Sequence, residues 1–96
     1  MAAYVIYRAE VHDPAQYERY KARSAEAVAA AGGRFIVRGG EVDVLEGDPP
    51  GGRTVVIEFP SMQAARDWYD GDRYTEAKAL RQDAARARVF IVDGVD

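Results

Sequence analysis

Side chains alternate in character within four short segments of this chain, and that alternation is the strongest constraint on its fold. Every second residue is apolar and the residues between are mixed, as in strands that bury one face. The apolar set is Val5, Tyr7, Ala9, Phe35, Val37, Val55, Ile57, Phe59, Val89 and Ile91. We therefore expect a four-stranded sheet with these residues beneath a layer of helices.

Turn and cap residues separate the strands from two helical segments. Asp13-Pro14 is a helix start and Gly32-Gly33 a helix end. Residues 41–46 are candidates to continue the second strand past a bulge or bend at Gly39-Gly40. We expect strands over about 3–11, 34–38, 53–59 and 87–92, and a first helix from Pro14 to Ala31. We expect a second helix that is capped by Ser61 and breaks near Asp70-Gly71. It continues from a second cap at Asp72 to about Ala85.

The order of these elements is β-α-β-β-α-β. With right-handed crossovers it predicts an α+β protein of the ferredoxin-like type, in which four mainly antiparallel strands carry two helices on one face. The chain length of 96 residues is that of one domain, which we expect to span residues 1–96.

The opposite face of the expected sheet is half apolar and half charged. Its charged members include Arg8, Arg38 and Glu58. The first and third strands are neighbours in this fold, so Arg8 and Glu58 can form an ion pair. Exposed apolar patches usually mark interfaces, so we expect a homodimer through this face. The apolar members are Ile6, Ile36, Val56, Phe90 and Val92.

Composition argues against several classes of function. The net charge is -3, opposite in sign to the basic surfaces of nucleic-acid-binding proteins. There is no cysteine, which rules out disulfides and cysteine-based zinc sites. No apolar run approaches the roughly 18 residues of a membrane-spanning helix. We expect a cytoplasmic protein that binds neither nucleic acid nor membrane.

A set of motifs spread over nearly the whole chain points to a known family. They are Gly33–Gly40, Leu45-Glu46-Gly47, Arg53–Ser61, Trp68-Tyr69, Tyr74, Arg81 and Val92-Asp93-Gly94. With these residues the chain resembles the uncharacterised domain-of-unknown-function family 1330 of the dimeric α/β-barrel superfamily. The resemblance implies a ferredoxin-like protomer and a sheet-to-sheet dimer, but no established reaction. The superfamily also contains cofactor-free monooxygenases, lactone isomerases, haem enzymes and ligand sensors, so the fold alone cannot choose a function.

A few residues are candidates for a binding or catalytic site. Arg38 and Arg81 are candidate anion anchors, since arginine offers a planar fork to a carboxylate. His12 is the only histidine and the candidate for a general base. The aromatic candidates for pocket walls are Trp68, Tyr69 and Tyr74, with Tyr17 and Tyr20 facing the same space. Each has a plainer explanation, as core packing, a solvent-exposed side chain or a charged network at the dimer interface.

These observations favour a homodimer that binds a small carboxylate-bearing or aromatic molecule. Two alternatives stay open: a cofactor-free enzyme of the isomerase or monooxygenase kind, and a structural dimer without a ligand. Histidine pairs, cysteines and paired carboxylates are missing from the sequence, so we expect neither a metal nor a cofactor.

Overall fold

The computed structural model describes residues 1–95. Its elements in chain order are β1 (Ala3–Val11), α1 (Pro14–Ala30), β2 (Arg34–Arg38), β3 (Arg53–Phe59), α2 (Met62–Asp70), α3 (Asp72–Arg81) and β4 (Ala85–Asp93). The strands form one antiparallel sheet in the order β2-β3-β1-β4. The α+β architecture expected from the sequence is therefore confirmed. Within the described residues, no helix is both long and apolar enough to cross a membrane.

Helix α1 begins and ends where its local sequence predicts. The carboxylate of Asp13 accepts a hydrogen bond from the Gln16 backbone N–H at 3.2 Å, and Pro14 occupies the first helical position. The residues of α1 that face the sheet are buried, because they recur every three or four positions along one stripe. They are Tyr17, Tyr20, Ser24, Ala27 and Val28.

The second helical region consists of two helices, so the expected total of two helices is wrong and the structure has three. Ser61 caps α2 by accepting a hydrogen bond from the Ala64 N–H at 3.0 Å. Gly71 then adopts an extended conformation that divides α2 from α3. Asp72 is the first residue of α3 rather than its cap. Helix α3 ends at Arg81 rather than at about Ala85, which is the first residue of strand β4.

The alternation along β1 and β3 produces the buried core under the helices. Val5 and Ile57 face each other across these strands, and each is 3% exposed or less. Glu58 pairs with Tyr4 on the other surface of the sheet, which we call the open face. The expected faces of β1 and β3 are confirmed, and Arg8 and Glu58 both lie on the face away from the helices.

A register shift in β2 changes the expected orientation of its last two residues. Phe35 lies opposite Ile57, but Val37 lies opposite Val56 and Arg38 opposite Val55. An extra residue in one strand turns every later side chain to the other face. The expectation that Arg38 lies on the open face is therefore wrong: it shares the helix side with Val55, and Val37 takes its place on the open face.

Residues 41–46 do not continue β2 as the sequence suggested. They belong to the connection between β2 and β3, which contains no helix or strand. Its apolar residues Val42, Val44 and Leu45 are all exposed. Within residues 1–95, this segment is paired with no strand of the sheet.

Gly51 and Gly52 provide a matched pair for testing the turn into β3. Both have positive φ, 67° and 61°, so alanine is strained at either position. A methyl group on Gly52 would also collide with the Ala9 carbonyl, whereas one on Gly51 would touch only the Glu10 side chain at 4.0 Å. We expect Gly51→Ala to lower the free energy of unfolding by about 1–2 kcal/mol and Gly52→Ala to lower it by clearly more, as measured by urea denaturation. Equal losses would contradict this close approach.

Candidate functional site

Four buried tyrosines form the polar centre of the helix side, and we call them the tyrosine cluster: Tyr7, Tyr17, Tyr20 and Tyr74. The hydroxyls of Tyr7 and Tyr17 lie 3.0 Å apart, and those of Tyr20 and Tyr74 lie 2.8 Å apart. The four side chains are 4% exposed or less. A buried hydroxyl is costly without a partner, and the pairing gives each hydroxyl one. The cluster thereby joins β1 to α1 and α1 to α3.

Burial also keeps the phenols of Tyr17, Tyr20 and Tyr74 neutral. It raises the pKa of Tyr20 and of Tyr17 far above the ordinary value of 10, and the neighbouring tyrosines add to the effect. Burial raises the pKa of Tyr74 as well, although the positive charge of Arg81 acts to lower that pKa. Neutral hydroxyls can both donate and accept, so the cluster suits hydrogen bonding to an oxygen atom of a ligand.

A small cavity lies beside the cluster, between α1 and the β2–β3 half of the sheet. Its volume is about 20 Å³, room for about one water molecule. The aromatic and apolar lining comes mainly from Tyr7, Tyr17, Tyr20, Phe35, Ile57 and Trp68.

Three cationic side chains also line this cavity: Lys21, Arg38 and Arg53. The guanidinium carbon of Arg38 lies 4.3 Å from the centroid of the Phe35 ring. Lys21 is paired with Glu18 at 3.0 Å. Among residues 1–95, no carboxylate lies within 4.0 Å of either Arg38 or Arg53. Both guanidinium groups are thus available to an anion.

Arg53 is held against the cavity by its surroundings. Its guanidinium carbon lies 5.7 Å from the centroid of the Tyr17 ring, and its Nε is buried without a hydrogen-bond partner in the described part of the chain. Gly39, at φ 73°, leaves room for it, because a methyl group there would lie 2.9 Å from the guanidinium carbon. An unpaired buried donor is costly, so an anion that accepts from Arg53 would be favoured.

Arg81 approaches the tyrosine cluster from the end of α3. Its guanidinium carbon lies 5.6 Å and 5.7 Å from the ring centroids of Tyr7 and Tyr20, within range of cation–π attraction. One of its terminal nitrogens is buried with no hydrogen-bond partner among the described residues. Arg81 does not line the cavity that Arg38 and Arg53 share, so the two predicted anion anchors lie in different places.

The three predicted aromatic walls pack against one another, but only one of them reaches the cavity. Trp68 lines it. Tyr74 is fully buried, with its ring centroid 4.3 Å from that of Trp68. It belongs to the tyrosine cluster through the hydrogen bond between its hydroxyl and that of Tyr20. Tyr69 lies instead beside a hollow along β4, where Lys78 donates to its hydroxyl at 3.4 Å.

His12 lies away from these features. It is exposed at the bend between β1 and α1, and its backbone N–H donates to the Ala84 carbonyl at 2.7 Å. It lines neither the cavity nor any other described hollow. The position of His12 therefore does not support a role as general base.

The expected ion pair between Arg8 and Glu58 does not form. Arg8 lies opposite Thr54, four residues from Glu58 along β3, and donates to the carbonyls of Pro50 and Gly51. Glu58 accepts from Arg34 at 2.7 Å and from the Tyr4 hydroxyl at 3.3 Å. The hydrogen bond and the charge of Arg34 lower the pKa of Glu58. The network on the open face is thus split between two ends of the sheet.

Sequence reasoning missed Arg53, Lys21 and Tyr7 as site residues. Arg53 has the same strand parity as Val55 and Ile57, so the alternation carried the necessary signal. Lys21 follows Tyr17 by four residues, which is one helical turn.

Within residues 1–95, no group of three or more histidine, cysteine, aspartate or glutamate side chains is placed to hold a metal ion.

The order of the elements and the sheet topology are those of the ferredoxin-like α+β class. A family model described as "Domain of unknown function (DUF1330)" matches residues 2–95. The chain belongs to this family. A search of curated proteins found no match.

Several solved structures share the fold. A protein of unknown function from Rhodopseudomonas palustris is 18% identical with a TM-score of 0.76, over 99% of this chain and 83% of that one. A mutant of SnoaB, a cofactor-independent oxygenase from Streptomyces nogalater, is 15% identical with a TM-score of 0.70, over 99% and 94%. A protein from Caulobacter crescentus CB15, provisionally named an antibiotic biosynthesis monooxygenase, is 19% identical with a TM-score of 0.66, over 99% and 91%. These likenesses establish the fold alone.

The raised tyrosine pKa values predict how the protein responds to alkali. In the unfolded chain these phenols ionise near pH 10, while Tyr17, Tyr20 and Tyr74 keep their protons in the folded state. Their contribution is fully present below pH 10, and the free energy of unfolding falls as pH rises above it. Absorbance at 295 nm should show these three titrating only on unfolding. In the folded protein, Tyr20→Phe should leave the absorbance change near pH 10 unaltered. A smaller absorbance change in this variant would contradict the prediction that Tyr20 titrates only on unfolding.

Proposed function

We propose that this protein is a homodimer that binds a small carboxylate-bearing aromatic molecule in the cavity between α1 and the β2–β3 half of the sheet. The observation that carries the proposal is the pair Arg38 and Arg53, which flank one cavity without a carboxylate partner in the described residues. Arginine pairs strongly with carboxylates, and the adjacent lining is aromatic. The cytoplasmic location stays a prediction from the sequence.

The present volume of the cavity requires a side-chain movement for binding. About 20 Å³ is too small for an aromatic acid. Arg38 is exposed, so its side chain can swing outward at low cost and open the mouth. The acid would then lie with its ring against Phe35 and Trp68 and its carboxylate between the two arginines.

An enzymatic function is the second candidate, because the tyrosine cluster adjoins the same cavity. Its hydroxyls and the nearby cations would stabilise negative charge that develops on a substrate oxygen. The fold likeness to SnoaB, which is a cofactor-independent oxygenase, agrees with this alternative. Oxygen uptake that depends on a bound aromatic acid and is lost in Tyr17→Phe would favour the enzyme over the simple binding protein.

The binding proposal predicts a charge-dependent response of Trp68, the only tryptophan of the chain. Benzoate and 4-hydroxybenzoate should change its fluorescence, and uncharged benzamide should not. Arg38→Met and Arg53→Met keep the apolar stem and should each weaken binding by about tenfold or more, since hydrogen bonds to charged groups contribute about 1.5–3 kcal/mol.

The matched control is Arg19→Met on the exposed side of α1, where Arg19 donates a hydrogen bond to Gln16 at 3.4 Å and has no ion pair within residues 1–95. Its affinity should equal that of the unaltered protein. The proposal fails if a panel of small acids changes neither fluorescence nor melting temperature, or if benzamide binds as tightly as benzoate.

The homodimer is proposed through the open face. Phe90 and Val92 are 51% and 46% exposed there, beside half-buried Ile6 and Val56, and a contiguous apolar surface of this kind favours association. Light scattering at micromolar concentration should give twice the chain mass of 10.6 kDa. Phe90→Asp should reduce it to one chain mass, because a charge would be buried in the interface. Ala79→Asp, which introduces the same charge at an exposed residue of α3, should stay dimeric.

A further inference from the structure

The open face carries a second hollow, at the end of the sheet where β4 begins. Its volume is about 270 Å³, which is room for a small ligand. Its lining contains three arginines and one glutamate, and within residues 1–95 no aromatic side chain borders it. We call it the arginine hollow. One chain supplies the whole lining, so the arginine hollow does not depend on the homodimer.

The three arginines come from two neighbouring strands. Arg8 of β1 lies directly opposite Arg88 of β4, and Arg86 lies two residues away on the same face. Like charges that face each other across strands are destabilising. In the part of the chain that is described, no carboxylate lies within 4.0 Å of any of the three guanidinium groups. An anion that bridges them would relieve this repulsion.

Arg8 is held in place by the turn that precedes β3. Its Nη2 donates to the carbonyls of Pro50 and Gly51, and its Nε is buried without a hydrogen-bond partner among the described residues. The two carbonyls orient the guanidinium group but leave its charge in place. Arg8 is therefore a fixed positive charge in the hollow, whereas Arg86 and Arg88 are exposed and can move onto a ligand.

The charge of the lining suits a dianion better than a monocarboxylate. Glu10 is the carboxylate of the lining, and it lies opposite Arg86 across β1 and β4. Three guanidinium groups and one carboxylate give the lining a net charge of +2. A phosphate monoester carries a charge of about −1.5 to −2 at neutral pH, so its charge nearly balances that of the lining.

We propose that the arginine hollow binds the phosphate group of a small phosphate monoester. The guanidinium groups of Arg8, Arg86 and Arg88 donate to the phosphate oxygens, because their planar fork fits phosphate geometry. The rest of the hollow takes a small polar group, since no described aromatic ring is present to stack on a larger one. The overall net charge of -3 disfavours a nucleic acid, which requires a broad basic surface.

This site goes beyond the proposed function and is separate from the cavity under the helices. Arg38 and Arg53 line that cavity on the opposite side of the sheet. The arginine hollow also lies beside the apolar part of the open face, because Ile6 and Phe90 form the next cross-strand pair on that face after Arg8 and Arg88. A dimer formed through the apolar pairs leaves the hollow at the end of the interface, where a small ligand can enter.

Calorimetric titration of the native protein tests the proposal with three probes at one ionic strength set by sodium chloride. Ribose 5-phosphate should bind, and ribose should not. Inorganic phosphate should compete for the same site, since it offers the same oxygens to the arginines. If inorganic phosphate binds and ribose 5-phosphate does not, the hollow is a site for free phosphate and the monoester proposal is wrong.

Substitutions in the lining should change the affinity in opposite directions. Arg86→Gln and Arg88→Gln should each weaken ribose 5-phosphate binding by about tenfold or more, because each removes charge-assisted hydrogen bonds. Neither side chain is buried, so both variants should fold and keep the native melting temperature. Glu10→Gln should tighten binding severalfold, because it removes a negative charge from the hollow.

The matched controls are Arg73→Gln on α3 and Glu26→Gln on α1. Both residues are exposed and lie outside the lining of the arginine hollow. Their substitution changes the net charge by the same amounts as the changes in the lining. The affinity for ribose 5-phosphate should stay at the native value in both, because a general effect of net charge is small in the presence of salt.

Two results would overturn the inference. One is native affinity in both Arg86→Gln and Arg88→Gln, or no binding of ribose 5-phosphate at all. The other is loss of phosphate binding in Arg38→Met or Arg53→Met but not in Arg88→Gln, which would place the phosphate in the cavity under the helices. Benzoate binding to Arg88→Gln should equal that of the native protein, so it reports separately on the proposed function.

Discussion

The two hydroxyl pairs of the tyrosine cluster are the contacts on which the arrangement of the helices depends. Tyr7 to Tyr17 links β1 with α1, and Tyr20 to Tyr74 links α1 with α3. Each pair satisfies two polar atoms in the low-dielectric interior, where an unsatisfied hydroxyl would be costly. The same bonds keep the phenols beside the cavity in fixed positions. Stability and the polar character of the candidate site therefore come from one set of contacts.

The register shift in β2 is the second determinant of the site. Without it, Arg38 would share the open face with Arg34 and Glu58, and the cavity would have only Arg53 and Lys21 as cations. With it, Arg38 and Arg53 line the same cavity. A single additional residue in a short edge strand thus transfers a charge from one face of the sheet to the other. The proposed carboxylate site depends on that transfer.

The charges of the open face are distributed unevenly. At one end, Glu58 is satisfied by Arg34 and Tyr4. At the other end, Arg8, Arg86 and Arg88 stand together with one carboxylate, that of Glu10 opposite Arg86, and the acidic residues of the 41–46 segment are exposed. A free protomer therefore leaves both an apolar surface and a strand edge uncovered. The proposed homodimer through the open face would cover the apolar surface.

The residue pattern alone determined the number and order of the strands, the caps of α1 and α2, and the sides of β1 and β3. These follow from local rules: period-two alternation, and side chains that cap a neighbouring backbone N–H. The split between α2 and α3 was partly visible at Gly71, but Asp72 proved to be helical rather than a cap. Tertiary structure decided the side of Arg38, the meeting of Arg53 with Tyr17, and the partners of Arg8 and Glu58. The physical reason is that a one-residue bulge and a cross-strand register depend on pairing between distant segments, which no local pattern encodes.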